Sequence, residues 1–275
     1  MVKRITVFIL MAFALCCALV SNTAQADQLQ MVKARGKLIV GVKNDYVPFG
    51  FLDSKAQLRG LEVDLAKFVA KDMLGSETDV EFVPVVASNR IELLNAGRID
   101  VIFATLARTP ERAKVIDFTD PYYMMAGVVL LAPQTTTISK WEDLKGRKVC
   151  GMQGNMYNRT LQEKFGADLS LFTGTAQMFK AFQDNRCESI AFDGPILTQK
   201  VAEEGWKEKD KIAIDTFDYV AIAGGVRKNE PAFLAALNKA IKDAEAVGVL
   251  TNAEKSYNMG VSKFVTEQQA AAKSK

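Results

Sequence analysis

The chain has 275 residues, of which 35 are Lys or Arg, 32 are Asp or Glu and none is His. The formal charge of +3, without a run of basic residues, argues against nucleic-acid binding. The lack of histidine removes the usual general base, the usual zinc ligand and the histidine of nucleophilic triads. We therefore predict no metal site, no cofactor and no catalytic residues.

The first 26 residues have the features of a secretory signal peptide. Two basic residues precede an apolar run over residues 5–20, and Ala24-Gln25-Ala26 is an A-x-A cleavage pattern. The apolar run is too short for a comfortable membrane span. We predict secretion with cleavage after Ala26. Cys16 and Cys17 raise the alternative of a lipid anchor.

The rest of the chain alternates strands and helices, which is the pattern of an α/β protein. Strands are predicted over residues 37–42, 80–86, 101–104, 148–152, 169–172 and 189–192, with extended segments over 126–131 and 220–226. Helices are predicted over residues 62–74, 89–96, 155–165, 176–185, 194–204 and 231–247. The Ala/Gln/Lys-rich residues from Thr266 onward are predicted to be frayed.

A candidate anion site lies where a predicted buried strand gives way to a helix. The strand stops at Thr105, and Thr109-Pro110-Glu111 provides an N-cap, a first-turn proline and an acidic first turn. α/β proteins bind ligands where strand ends face helix starts. The groups that could converge there on one carboxylate are the Thr105 hydroxyl, the amides of Leu106 and Ala107, and the Arg112 guanidinium. In the alternative, Arg112 pairs with Glu111 or Asp117 on a solvated face.

Cys150 and Cys187 are the cysteines that remain after the predicted cleavage. Cys150 closes one strand-like run and Cys187 immediately precedes another, so adjacent strands would bring the two sulfurs together. Disulfides persist in the oxidising compartments to which secreted proteins go. We therefore predict a Cys150–Cys187 disulfide in preference to two free thiols.

The segment from Asp100 to Tyr123 resembles the signature of a known family, the extracytoplasmic solute-binding proteins (family 3) of bacterial polar amino-acid ABC transporters. Its Thr-Pro-Glu-Arg turn and its later Asp-Phe-Thr-Asp-Pro-Tyr run stand in the family's order. Other family landmarks, also in order, are LIVGV at 38–42, VPFGF at 47–51, GLEVDLA at 60–66 and LKGRKV at 144–149. The likeness spans about residues 36–260.

This resemblance implies a two-lobed periplasmic-binding-protein fold of type II, with two crossing hinge strands and the ligand in the interlobe cleft. One lobe would be discontinuous, residues 27–124 plus 221–275, and the other would span 127–219. The implied protein is a periplasmic monomer that binds a free amino acid and docks on the membrane permease of an ABC importer. Alternatives are a secreted cyclohexadienyl-type dehydratase on the same fold and a sensing module of a receptor.

The resemblance also implies how the groups common to all amino acids are held. Buried charges must meet partners, because unpaired ones cost several kcal/mol. The residues implied at the α-carboxylate are Arg112, Thr105, Ala107, Gly154 and Asn155. Asp193 is implied at the ammonium group. The alternative for Asp193 is a cap for the helix that starts at Gly194.

Side-chain specificity is predicted from two cations. Lys43 stands where family members that bind basic amino acids or glutamine commonly carry aspartate, and Arg90 is a second cation. The glutamate/aspartate-binding subgroup that the chain resembles carries cations at both places. Together with Arg112 and Asp193 they leave a positive cleft, which favours an acidic amino acid over a basic one. The alternative for the subgroup assignment is a binder of another polar amino acid.

Each of these side-chain predictions has a plainer alternative. Lys43 could point to solvent. Arg90 could pair with Glu92 or Asp100. Tyr46 is predicted to pack on the ligand's aliphatic stem, with core packing as the alternative. Thr175 is predicted to meet the ligand's distal carboxylate, with helix capping as the alternative.

Overall fold

The computed structural model describes residues 27–216 and 219–274. The predicted signal peptide, residues 1–26, lies outside the described residues. The helices are, in chain order, α1 (Gln28–Arg35), α2 (Leu61–Leu74), α3 (Arg90–Asn95), α4 (Pro110–Ala113), α5 (Asn158–Glu163), α6 (Thr175–Gln183), α7 (Gly194–Val201), α8 (Pro231–Val247), α9 (Val249–Ser256) and α10 (Lys263–Lys273). None of the helices in this described part is both long and apolar enough to cross a membrane.

The strands form two five-stranded sheets and a small three-stranded one. They are β1 (Leu38–Val42), β2 (Asp45–Tyr46), β3 (Gly50–Leu52), β4 (Leu58–Arg59), β5 (Val80–Pro84), β6 (Val101–Ile102), β7 (Asp117–Ala126), β8 (Val128–Pro133), β9 (Lys148–Met152), β10 (Asp168–Phe172), β11 (Ser189–Asp193), β12 (Asp210–Ile214) and β13 (Tyr219–Val226). A 3₁₀ turn spans Trp141–Leu144.

The first large sheet has the strand order β5-β1-β6-β13-β7. β1 runs parallel to β5 and β6, whereas β13 runs antiparallel to β6 and β7. Continuous apolar strands such as β1 suit a sheet that is covered on both faces. α2 packs against α8 beside this sheet, and the buried face of α2 presents Leu65 and Val69.

The second large sheet has the order β10-β9-β11-β8-β12. β9 is parallel to β10 and β11, and β8 is antiparallel to β11 and β12. All five residues of β11 are buried. The small sheet, β2-β3-β4, stands beside the first large sheet, where β3 and β4 contact α2.

Two crossing strands join the parts of the molecule that hold the large sheets. β7 and β13 pair antiparallel from Asp117 opposite Val226 to Ala126 opposite Tyr219. β7 leads through Gly127 into β8 of the second sheet, and β13 carries the chain back to the first. Each large sheet with its helices is thus one lobe. The lobe boundaries given above, 27–124 with 221–275 and 127–219, stay a prediction.

The predicted disulfide is present. Cys150 lies on β9 and Cys187 just before β11, and because these strands are parallel neighbours the two Cα atoms are 5.5 Å apart. The sulfurs are bonded. The link ties the two central strands of the second lobe together at their amino-terminal side.

The sequence predictions did not include α1, α9, β2, β3, β4, β7 or β12, and the strand predicted over 101–104 is only Val101–Ile102. Two further segments differ in ways that have a physical reason. The helix predicted over 155–165 is only Asn158–Glu163, because the preceding loop turns at Gly154, where φ is +83°. The frayed end predicted from Thr266 is wrong: Lys263–Lys273 is a helix. Ser262 caps it, Val265 is buried and Gln269 contacts the Thr251 hydroxyl at 2.9 Å. Packing against α8 stabilises a segment whose composition indicates only high solubility.

Candidate binding site between the lobes

A small cavity lies between the lobes. It encloses about 20 Å³, roughly the space of one water molecule, so the two lobes are closed on each other. Of the residues predicted to bind a ligand, those that line it are Arg90, Thr105, Ala107, Arg112, Asn155 and Asp193. The other lining residues are Met125, Gly127, Met156, Tyr157, Val220 and Ile222.

Arg112 bridges the lobes at one side of this cavity. Thr109 caps α4 as predicted, because its hydroxyl accepts a hydrogen bond from the Arg112 amide at 3.3 Å. The guanidinium donates from Nη1 to the Ala107 carbonyl at 2.9 Å and from Nη2 to the Gly154 carbonyl at 3.1 Å. Burial lowers the pKa of Arg112. The alternative pairing with Asp117 is not formed, since that carboxylate meets Lys228 at 2.8 Å.

The Thr105 amide contacts the buried carboxylate of Glu62, a residue that the sequence did not identify as part of the site. The φ of Thr105, +47°, is unusual for a residue with a Cβ, and its amide donates to Glu62 Oε1 at 2.5 Å. The Tyr122 hydroxyl donates to the same oxygen at 2.6 Å. Burial raises the pKa of Glu62, opposed by these two hydrogen bonds. One signal in the sequence could have identified Glu62: it lies on the apolar stripe of α2, three residues before Leu65, where a charged residue is unusual.

Lys43 is buried in the first lobe and, like Tyr46 and Gly154, is not among the residues that line the cavity. Only 2% of its surface is exposed, and its Nζ lies 3.5 Å from the centre of the Tyr46 ring, a cation–π contact. Burial, and after it the charge of Arg90, lowers the pKa of Lys43, while Asp193 acts in the opposite direction. The alternative in which Lys43 points to solvent is therefore wrong.

Arg90 is also 2% exposed. Its Nη1 donates to the Ala104 carbonyl, while its Nε is buried without a hydrogen-bond partner among the described residues. Burial and then Arg112 lower the pKa of Arg90 to about 9. The alternative pairing with Asp100 is not formed, since that carboxylate binds Arg35 and Gln28.

Asp193 joins the two lobes through tyrosines. It occupies the N-cap position of α7, but its side chain makes no capping hydrogen bond. Its carboxylate accepts instead from the Tyr46 hydroxyl of the first lobe and, at 2.9 Å, from the Tyr157 hydroxyl of the second. Asn155 Nδ2 donates to the Tyr157 oxygen at 2.5 Å. Burial raises the pKa of Asp193, opposed by Lys43.

Thr175 and Gly154 make further contacts between the lobes. The Thr175 amide donates to Asp45 Oδ2 at 2.9 Å, and its hydroxyl donates to the Asp45 carbonyl at 2.8 Å. Gly154 lies against the backbone of Ala87, where an added Cβ would come within 2.8 Å of the carbonyl carbon. Thr175 lies outside the cavity lining, and its role at a distal carboxylate stays a prediction. Helix capping is not its role, because the N-cap of α6 is Gly174.

The cavity lining thus carries two cations, Arg90 and Arg112, and one carboxylate, Asp193. The buried Lys43 interacts electrostatically with Arg90, Asp193, Asp45 and Glu62. No group of three His, Cys, Asp or Glu side chains within the described ranges could hold a metal ion. The arrangement can hold a small ligand that carries charges of both signs, because each charge would meet a buried partner of opposite sign.

Two α/β lobes, two crossing strands and a charged interlobe cleft define a periplasmic binding protein of type II. The model of the bacterial extracellular solute-binding proteins, family 3, matches residues 38–260. The chain therefore belongs to this family, which serves polar amino-acid ABC transporters.

The relatives of the chain are named for different amino-acid ligands. The ABC transporter glutamine-binding protein GlnH of Bacillus subtilis is 35% identical over 64% of this chain and 66% of its own length. The L-cystine-binding protein TcyJ of Escherichia coli is 30% identical over 92% of this chain and 95% of its own. The L-glutamate/L-aspartate-binding protein of Pseudomonas aeruginosa is 26% identical over 87% and 83%.

Solved structures show the same fold. The solute receptor for L-cysteine of Neisseria gonorrhoeae matches with a TM-score of 0.80 and 29% identity. The match covers 86% of this chain and 98% of the receptor.

Proposed function

We propose that this protein is the periplasmic binding subunit of an ABC importer and that it binds an acidic amino acid, glutamate or aspartate, by lobe closure. The observation that carries the proposal is that two cations of the first lobe, Lys43 and Arg90, are both buried, and that the charge of Arg90 acts on Lys43. Each lies in an environment that disfavours its charge, because burial lowers both pKa values. A ligand carboxylate placed between them would favour both charges.

The remaining groups suit the part of the ligand that all amino acids share. Arg112 offers a planar fork for the α-carboxylate, and it already holds carbonyl oxygens of both lobes. Asp193 offers its carboxylate to the ammonium group. The Thr105 hydroxyl is buried without a partner among the described residues, so it can donate to the α-carboxylate.

The charge balance supports an acidic ligand. The charged residues that line the cavity are Arg90, Arg112 and Asp193, which leave an excess of one positive charge. Glutamate or aspartate brings one negative charge and neutralises the closed cleft. Glutamine leaves the excess in place and arginine doubles it, and such an imbalance is costly where the effective dielectric constant is low.

A second candidate ligand is cystine or cysteine. It rests on the nearly full-length likeness to the L-cystine-binding protein of Escherichia coli and to the L-cysteine receptor of Neisseria gonorrhoeae. Cystine also brings a second carboxylate to the two cations, but it adds a second ammonium group there.

Calorimetric titration of the refolded, ligand-stripped protein with matched pairs of ligands tests the proposal. Glutamate and glutamine, and likewise aspartate and asparagine, have nearly equal shape but differ in charge and in the donors of the amide group; cystine and arginine complete the set. We expect the acidic member of at least one pair to bind at least tenfold more tightly than its amide. Equal affinities, or tightest binding of cystine, would contradict the acidic specificity.

The proposal includes no catalysis. Incubation with prephenate or arogenate should leave both substrates unchanged, and measurable turnover would favour the dehydratase alternative. It also includes export with cleavage after Ala26, so mass analysis of the protein from periplasm should give Asp27 as the first residue. A lipid-modified cysteine at residue 16 or 17 would support the anchored alternative.

A further inference from the structure

Tyr157 contacts the carboxylate that we propose for the ligand's ammonium group. Its side chain is 5% exposed and lines the cavity together with Asp193 and Asn155. Its hydroxyl donates to Asp193 Oδ1 at 2.9 Å and accepts from Asn155 Nδ2 at 2.5 Å. The chain from the end of β9 to the start of α5 therefore carries both the tyrosine and the amide behind it.

The direction of these two hydrogen bonds is decided by chemistry. The Asn155 amide nitrogen can only donate, so it occupies a lone pair of the Tyr157 oxygen. The single hydroxyl proton of Tyr157 is then directed at Asp193. A hydrogen bond to a carboxylate favours its ionised form and fixes its orientation.

We propose that Tyr157 is a positioning residue, which holds the Asp193 carboxylate oriented and ionised so that it can receive the α-ammonium group of the ligand. The inference rests on the proposed amino-acid binding, but not on which amino acid binds, because every α-amino acid carries the ammonium group. Tyr46 donates to the other carboxylate oxygen, Oδ2, and Asp193 thus receives one hydroxyl from each lobe. Tyr157 belongs to the same lobe as Asp193, so its contact does not depend on lobe closure.

Cationic and hydroxyl groups from both lobes surround Asp193. Those that face it are Lys43 and Tyr46 from the first lobe, Tyr157 from its own lobe, and Arg90 and Arg112 across the cavity. Burial raises the pKa of Asp193. Loss of the Tyr157 hydroxyl would raise this pKa further, because the ionised form loses a donor. Because the ligand's ammonium group needs an ionised Asp193, binding weakens when this carboxyl is protonated. On acidification, the variant should therefore lose affinity at a higher pH than wild type does.

The test compares Tyr157→Phe with Tyr257→Phe. Tyr257 is a matched control, since its hydroxyl also donates to an aspartate, Asp64, at 2.9 Å, but on the outside of the first lobe. Affinity for L-glutamate, or for the panel amino acid that wild type binds most tightly, is measured from pH 5 to 8. We expect Tyr157→Phe to weaken binding about tenfold at neutral pH, the usual effect of one hydrogen bond to a charged group. The fall in affinity on the acid side of the pH profile should shift to higher pH in Tyr157→Phe, while the profile of Tyr257→Phe should match that of wild type.

A second measurement keeps the inference independent of ligand. The carbon-13 carboxyl resonance of Asp193 is titrated in the ligand-stripped protein, with Asn155→Ala as a milder variant if Tyr157→Phe does not fold. We expect Asp193 to titrate at a higher pH in either variant. An unchanged Asp193 titration, or an unchanged fall in affinity on the acid side, would overturn the inference. Failure of wild type to bind any amino acid would contradict the proposed function instead.

Discussion

Replacing Lys43 by methionine tests how the cleft distinguishes an acid from its amide. The substitution keeps an unbranched side chain as far as Cε and removes the ammonium group, in a site where the lysine is 2% exposed and its Nζ lies over the Tyr46 ring. Truncating one partner of a buried charge pair costs about 2–5 kcal/mol. Because Arg90 remains to face the same ligand carboxylate, we expect the lower end, about 2 kcal/mol or roughly 30-fold weaker glutamate binding.

Glutamine provides the comparison. Its amide oxygen would accept one hydrogen bond from the Lys43 ammonium without pairing a full opposite charge, so the loss should be smaller, about 1.5 kcal/mol or roughly tenfold. Lys43 also lowers the pKa of Asp193, and its removal affects the ammonium end of both ligands equally. The informative quantity is therefore the ratio of glutamate to glutamine affinity, measured by calorimetry.

The matched control is Lys200→Met. The Lys200 Nζ lies 4.9 Å from the centre of the Phe179 ring in the second lobe and outside the cavity, so its loss should leave the ratio unchanged. A Lys43→Met protein that loses the same factor for glutamate and glutamine would refute the reasoning, because Lys43 would then support the cleft without contacting the side chain of the ligand.

Three further outcomes follow from the same contacts. Arg112→Ala should weaken every amino acid more than 100-fold, because an unpaired carboxylate in a closed cleft costs about 3–5 kcal/mol; calorimetry showing a loss within tenfold would exclude Arg112 as the anchor. Replacing Cys150 and Cys187 by serine should lower the free energy of unfolding in urea by about 4 kcal/mol, from their separation of 37 residues, and a loss under about 1 kcal/mol would contradict the chain-entropy account. Thr175→Val should weaken both glutamate and glutamine about fivefold, because its hydroxyl bonds to Asp45 across the cleft, and the predicted contact with the distal carboxylate requires a further loss for glutamate alone; equal losses would contradict that contact.

The strands at the centre of both large sheets and most helices could be predicted because their signals are local, whereas β2, β3, β4, β7 and β12 were not predicted. Apolar runs mark β1, β9 and β11, and the Thr109-Pro110-Glu111 start of α4 has the capping contact that its residue types favour. The disulfide was predictable because two parallel strands place both cysteines at the same side of a sheet. The C-terminal helix was missed because its stability comes from packing, not from its composition.

The contacts in the cleft join residues that are far apart in sequence, so local sequence patterns could not predict them. Asp193 meets Tyr46 across 147 positions of sequence, and Thr175 meets Asp45 across 130. A capping aspartate and a binding aspartate have the same sequence context before α7, so only the fold separates these two roles. Tyr157 was missed because an aromatic residue in a loop is most often packing, and its function depends on a carboxylate that lies 36 residues away.

A crystal structure of the protein with glutamate tests the central claim most directly, since it shows which side chain meets which end of the ligand. The account predicts the α-carboxylate on Arg112, the ammonium group on Asp193 and the side-chain carboxylate on Lys43 and Arg90, with the lobes closed. A ligand whose side chain leaves the cleft between Arg112 and Met156, away from Lys43 and Arg90, would contradict it.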